Sequence, residues 1–172
     1  MLSPNNTQIL PPFPVSGLLN DTSNETANVT LKFTQGKTYK IRVINMAALA
    51  AAMLQFDSHT MKVIEIDGVY VHEHDADQIR ISPAQRYVFL LEAKPTDGEN
   101  YAFLTSFDIN RDFTQPGSVW ELNVTGYIEY DPTKNLPVPL VVNGWDPLDD
   151  FVLAVSSNFL YFYTFIILFF AL

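Results

Sequence analysis

The chain has 172 residues, 48% of them hydrophobic and 17% charged, with 19 acidic against 10 basic side chains. That length holds one domain with a real core and is short for two. The net charge of −9 argues against a nucleic-acid partner, and the absence of cysteine removes any disulfide, thiolate ligand or thiol nucleophile. Only His59, His72 and His74 supply imidazole.

Residues 1–27 read as an opening segment with a glycosylatable loop. Asn-x-Ser/Thr sequons occur at Asn5, Asn20, Asn24, Asn28 and Asn123, against roughly one or two expected by chance for such a composition. That excess points to a glycosylated extracellular or cell-surface protein. Met1–Asn6 has neither the basic stretch nor the apolar run of a signal peptide, so the start of a secreted chain is expected upstream.

Residues 28–131 carry short alternating runs split by turn residues. Val29, Leu31 and Phe33 alternate with polar residues, and Gln35-Gly36-Lys37 turns the chain. Tyr39, Ile41 and Val43 then mark one strand face, with Lys40, Arg42 and Asn45 assigned to the other. Further strands are expected at 53–56, 61–67, 69–72, 78–82, 86–93, 101–107 and 120–130. Pro95-Thr96-Asp97-Gly98 reads as a hairpin-type turn. Met46–Ala52, a run of small residues, is the one stretch open to a helix, and it is too short to stand alone. The pattern predicts an all-β sandwich of about eight strands.

Pro132, Pro137 and Pro139 mark residues 132–151 as an extended linker, because proline donates nothing to a ladder. Residues 152–172 form an apolar tail. The charge-free stretch Phe151–Leu172 is long enough to cross a bilayer as a helix, which takes about 20 residues. No basic residue follows it, and Asp149-Asp150 precedes it. Two readings stand: a membrane segment, or an aberrant end left by truncation or mis-splicing.

Three stretches in order, Tyr39-Lys-Ile-Arg-Val-Ile-Asn45, Val63-Ile-Glu-Ile-Asp-Gly68 and Ile81-Ser-Pro-Ala-Gln-Arg-Tyr87, resemble the middle plastocyanin-like (cupredoxin) domain of multicopper oxidases. With Phe107-Asp108 after a strand and Leu148-Asp149-Asp150-Phe151 closing the linker, the closer resemblance is to the fungal-type ferroxidase and laccase-like branch. It covers roughly residues 11–151 and implies a Greek-key cupredoxin-like sandwich. In that family a blue copper takes electrons from substrate and a trinuclear copper cluster reduces oxygen to water. The resemblance places those coppers in the first and third domains, leaving the middle domain without a copper site. It therefore implies an oxidoreductase fragment, inactive alone, whose partners are the flanking cupredoxin domains and, in the ferroxidase branch, an iron permease.

The resemblance also implies an iron path, with Asp57, Asp108 and Asp112 as its carboxylates in this chain. Asp112 matches only with a one-residue register shift, and Pro11 stands where the family pattern has a glutamate. Ferrous iron takes hard oxygen donors, so a missing carboxylate leaves ferrous iron and phenols both open as substrates. Asp108 reads equally well as a loop-starting side chain that caps backbone N–H groups.

His72-Glu73-His74 is the remaining metal-like motif. Histidines at i and i+2 on a strand share a face, but a tight site wants three or four protein ligands. An exposed polar strand edge is the favoured reading. Arg86 and Asp67 are expected to pair and tie two strands together. The competing function is a non-catalytic, glycosylated cell-surface β-sandwich, membrane-anchored through the tail.

Overall fold

The computed structural model describes residues 29–48, 50–95, 98–108 and 123–153, and the backbone of Thr164–Phe170. Ten strands follow in order: β1 (Thr30–Lys32), β2 (Thr38–Asn45), β3 (Ala51–Phe56), β4 (Met61–Ile66), β5 (Val69–Ala76), β6 (Gln78–Ile81), β7 (Arg86–Glu92), β8 (Tyr101–Asp108), β9 (Asn123–Glu129) and β10 (Thr164–Phe170). They form two five-stranded sheets, one ordered β1-β9-β8-β3-β6 and the other β10-β2-β7-β4-β5. Most neighbours are antiparallel; β1 with β9 and β10 with β2 run parallel. The fold is the expected all-β sandwich.

Alternation explains the layers. Tyr39, Ile41 and Val43 from β2, Met61 and Val63 from β4, and Tyr87, Phe89 and Leu91 from β7 cover one wall of the core. Ala52, Leu54 and Phe56 from β3 and Phe103 and Phe107 from β8 supply the other. Phe56 bridges the layers, its ring 5.0 Å from that of Phe103 and 5.8 Å from that of Phe89. Val88 and Leu90, of opposite parity on β7, are buried with Ile64 in a second cluster. A strand covered on both faces loses its alternation.

Several sequence expectations change here. Asn45 has the parity of Tyr39, Ile41 and Val43, and it is fully buried rather than turned outward. Its Nδ2 donates to the carbonyls of Ala50 (3.0 Å) and Ile81 (2.8 Å), and its Oδ1 accepts from Ala47 N–H (2.9 Å). It thus pins the crossover from β2 to β3, which is why a polar side chain survives inside. Ala51 and Ala52 open β3 rather than closing a helical turn. β5 runs on to Ala76, four residues beyond the expected strand at 69–72. The connection from β7 to β8 passes between the sheets instead of closing a hairpin; Thr96 and Asp97 lie outside the described residues.

The linker is not free. Leu148 N–H donates to the carbonyl of Gln78 on β6 (2.9 Å), and Asp146 N–H reaches the Gln78 Oε1 (2.6 Å). Leu148 and Leu153 pack against the main core. In the tail, Thr164–Phe170 pairs with Tyr39–Asn45 in unbroken register, a strand where the sequence reading left a segment outside the sandwich. Among the described residues no helix is long and apolar enough to cross a membrane.

Gly126 lies opposite Phe103 in the β8–β9 register, and a Cβ added there would collide with the fully buried Phe103 ring. Gly126→Ala should therefore destabilise the chain by about 1–3 kcal/mol, the usual cost of overpacking. An unchanged denaturant midpoint would contradict this packing.

Candidate functional site

β3 separates two of the carboxylate positions that the sequence singled out, Asp57 just past its end and Asp108 on the neighbouring β8. Ala51 pairs with Asp108 and Phe56 with Phe103, while Asp57 N–H donates to the carbonyl of Ala102 (2.9 Å). Asp57 and Asp108 therefore stand at opposite ends of β3. The strand has six residues, which at roughly 3.3 Å each puts about 20 Å between them. One ion cannot touch both. Asp112 lies outside the described residues.

At the Asp57 end the chain turns through Ser58, whose φ of 55° is left-handed. The Ser58 hydroxyl donates to Asp57 Oδ1 (3.0 Å). His59 follows, 6% exposed, with Nδ1 2.6 Å from the Asp57 carbonyl and Nε2 2.8 Å from the Tyr130 hydroxyl. The Tyr130 oxygen accepts from Lys94 N–H (2.9 Å). This assigns the proton to His59 Nδ1 and lets Tyr130 donate to Nε2. Both ring nitrogens are spent on structure. A cavity of about 360 Å³ opens beside this turn, lined by His59, Lys62, Asp75, Glu92 and Lys94 among others.

The Asp108 end is built differently. Asp108 closes β8, and its Oδ2 lies 2.9 Å from Nε of Arg80 on β6. The two side chains are 39% and 43% exposed, so the pair contributes at most about 1 kcal/mol. Its value is positional: Arg80 also holds the Ser82 hydroxyl (3.2 Å) and reaches across β3 to fix the carboxylate. Asp108 is thus ion-paired with Arg80. Next to Arg80, a cavity of about 270 Å³ is lined by Ser82, Leu148, Asp149, Asp150 and Phe151.

Asp149 accepts from Phe151 N–H (3.0 Å) and starts a single 3-10 turn, Asp150–Val152. Asp150 accepts from the Tyr87 hydroxyl and from Gln85 Nε2 (2.9 Å). These bonds fasten the linker to β7. Sequence reasoning gave Arg80 no role, because nothing local links it to an aspartate 28 positions away. The alternation of Gln78, Arg80 and Ser82 with Ile79 and Ile81 was the available signal.

His72 and His74 sit exposed on β5, while Glu73 between them pairs with Lys62 (3.6 Å). Among the described residues no group of three or more His, Asp or Glu side chains converges on a point that could hold a metal. A blue copper needs two imidazoles and a thiolate. The chain has no thiolate, and His59 has no free nitrogen. The donor set does not fit that metal. Arg86 and Asp67 do meet, with Nη2 3.4 Å from Oδ1 and Arg86 N–H donating to the same oxygen (2.9 Å). Asn123 is exposed at the start of β9; Asn5, Asn20, Asn24 and Asn28 lie outside the described residues.

Tyr87 is buried, and its phenol is raised above the ordinary tyrosine range, first by burial and then by the hydrogen bond and negative charge of Asp150. The folded state therefore holds the neutral phenol. This contribution to stability is complete below the unfolded tyrosine value of about 10 and is lost as pH rises beyond it. Tyr87→Phe should flatten the loss of stability above pH of about 10. An alkaline unfolding profile identical to that of the wild type would contradict the assignment.

The multicopper oxidase family profile matches residues 2–133. The chain is 38% identical over 152 residues to the iron transport multicopper oxidase fetC of Epichloe festucae, covering 88% of this chain and 24% of that protein. Against the iron transport multicopper oxidase FET3 of Gibberella zeae it is 38% identical, covering 83% of this chain and 22% of that one. The crystal structure of Fet3p, a multicopper oxidase that functions in iron import, superposes with a TM-score of 0.68 at 31% identity. That match covers 78% of this chain and 25% of the other. A laccase from Botrytis aclada shares the fold, with a TM-score of 0.57 at 23% identity, 72% of this chain and 23% of that one being covered. The chain spans about a quarter of the length of the relatives it matches.

Proposed function

The chain belongs to the multicopper oxidase family, and we propose that it is the middle, copper-free cupredoxin domain of an extracellular or cell-surface ferroxidase. Its role is to space and orient the first and third cupredoxin domains, which carry the coppers. The parent enzyme couples one-electron oxidation of ferrous iron to the reduction of oxygen to water, and this chain alone is inactive. An iron permease in the membrane is the partner that such an enzyme feeds.

One observation carries the reading: a two-sheet sandwich, 38% identical to iron transport oxidases, whose chain contains no cysteine and whose one buried histidine is committed to the fold. The fastened linker supports it as well. Bonds from Gln78, Gln85 and Tyr87 hold the linker in a set position against the sandwich, as suits a domain whose role is to space its neighbours. The exposed Asn123 suits an extracellular surface.

Asp108 is the carboxylate that we assign to the iron path. Arg80 holds it at the end of β8 while about two-fifths of the side chain remains open to solvent. A carboxylate of this kind attracts a small hard cation far more than a neutral phenol. In the full-length parent, Asp108→Ala should lower kcat/KM for ferrous ion by about tenfold, roughly 1.4 kcal/mol, with oxidation of a bulky phenol little changed. Equal losses for both substrates would make Asp108 purely structural.

A further inference from the structure

The linker beside β6 carries the single Asn-Gly pair of the chain, Asn143-Gly144. Both residues are exposed and form a bend. Gly144 has a φ of 140°, a conformation that residues with a Cβ rarely adopt. The bend therefore needs glycine, and a Cβ added there would meet nothing within 4 Å. Among the described residues no hydrogen bond engages the Asn143 side chain or the Gly144 N–H. A free side-chain amide thus precedes an unshielded backbone nitrogen.

We propose that Asn143 is a spontaneous modification site, converted through a succinimide, and that its conversion loosens the linker from Gln78. The Gly144 nitrogen, once deprotonated, attacks the carbonyl carbon of the Asn143 side chain. A C–N bond forms, the side-chain nitrogen leaves as ammonia, and a five-membered ring closes. Water then opens the ring at either carbonyl, giving aspartate or isoaspartate with no change of oxidation state. Isoaspartate routes the main chain through the side-chain carbon, so the linker gains one main-chain atom and one negative charge. The proposal is independent of the oxidase reading.

The neighbouring bonds set the consequence. The Gly144 carbonyl accepts from Gln78 Nε2 (3.5 Å), Asp146 N–H reaches Gln78 Oε1 (2.6 Å), and Leu148 N–H reaches the Gln78 carbonyl (2.9 Å). A main chain lengthened just before this run cannot keep good geometry at all three. Asp67-Gly68 supplies the contrast, since an Asp-Gly pair can close the same ring. There, however, Asp67 Oδ1 accepts from Arg86 N–H (2.9 Å) and lies 3.4 Å from Arg86 Nη2. That carboxylate is held against β7, whereas the Asn143 amide is loose.

The test incubates the full chain and Asn143→Gln in warm, mildly alkaline buffer. Peptides are then made with pepsin in acid, where the ring forms slowly, and mapped by mass and by isoaspartyl methyltransferase labelling. A glutamine keeps the amide but must close a six-membered ring. Asn143 should convert at least about tenfold faster than Asn45, Asn100 or Asp67, with isoaspartate exceeding aspartate. Asn143→Gln should stay intact at that position. Ion exchange separates the converted chain by its added charge, and hydrogen exchange then reads the linker. The Leu148 amide should lose protection in the isoaspartate form, while Phe89 and Leu91 keep theirs. An intact Asn143, equal conversion in Asn143→Gln, equal conversion at Asp67, or unchanged protection of Leu148 would overturn the proposal.

Discussion

The hydrogen-bonded register on both sides of β3 is the constraint that orders the rest of the molecule. β8 lies along one side and β6 along the other, so that Asp108 and Arg80 flank the start of β3 while the Asp57 turn follows its end. A strand inside a sheet cannot lengthen or slip without turning its side chains to the wrong face. The distance between the two acidic positions is therefore set by strand geometry. One end of the domain gathers Asp108, Arg80 and the returning linker; the other gathers His59, Tyr130 and Lys94. Asp108 shares its end of the domain with the linker, and the iron path that we propose for it lies at that end.

Buried polar side chains hold each end in place. Asn45 ties the β2–β3 crossover to the last residue of β6. Asn100 does the same at the opposite pole, where its Oδ1 accepts from Tyr130 N–H and Asp131 N–H and its Nδ2 donates to the carbonyls of Asp131 and Lys134. His59 belongs to that second group. Leaving such a buried group unpaired would cost about 1–3 kcal/mol, so these side chains cannot be diverted to a ligand without loss of the fold. The imidazole best shielded for metal chemistry is thus the one least able to perform it.

The strands were legible because half-buried segments alternate, as Tyr39-Ile41-Val43 and Tyr87-Phe89-Leu91 do. Asn45 was misplaced because polarity was weighed above parity, and only its three backbone partners show why it is inside. β5 looked shorter than it is, since an edge strand with exposed His72, Glu73, His74 and Asp75 shows little alternation. Pro95–Gly98 has the chemistry of a hairpin turn, which is local, but the sheet to which a strand belongs is settled by pairings far away in sequence. The same holds for Arg80 with Asp108, Tyr87 with Asp150 and β10 with β2. Composition marked all of these residues without indicating what each would meet.

On the function we propose, this domain positions copper-bearing neighbours and ligates no copper itself. The most direct measurement is the copper content and visible spectrum of the full-length parent carrying both His72→Ala and His74→Ala, the two exposed histidines of the chain. The double variant should keep the same copper per molecule and the same blue absorption as the unaltered enzyme. Loss of a copper equivalent in the double variant would contradict it.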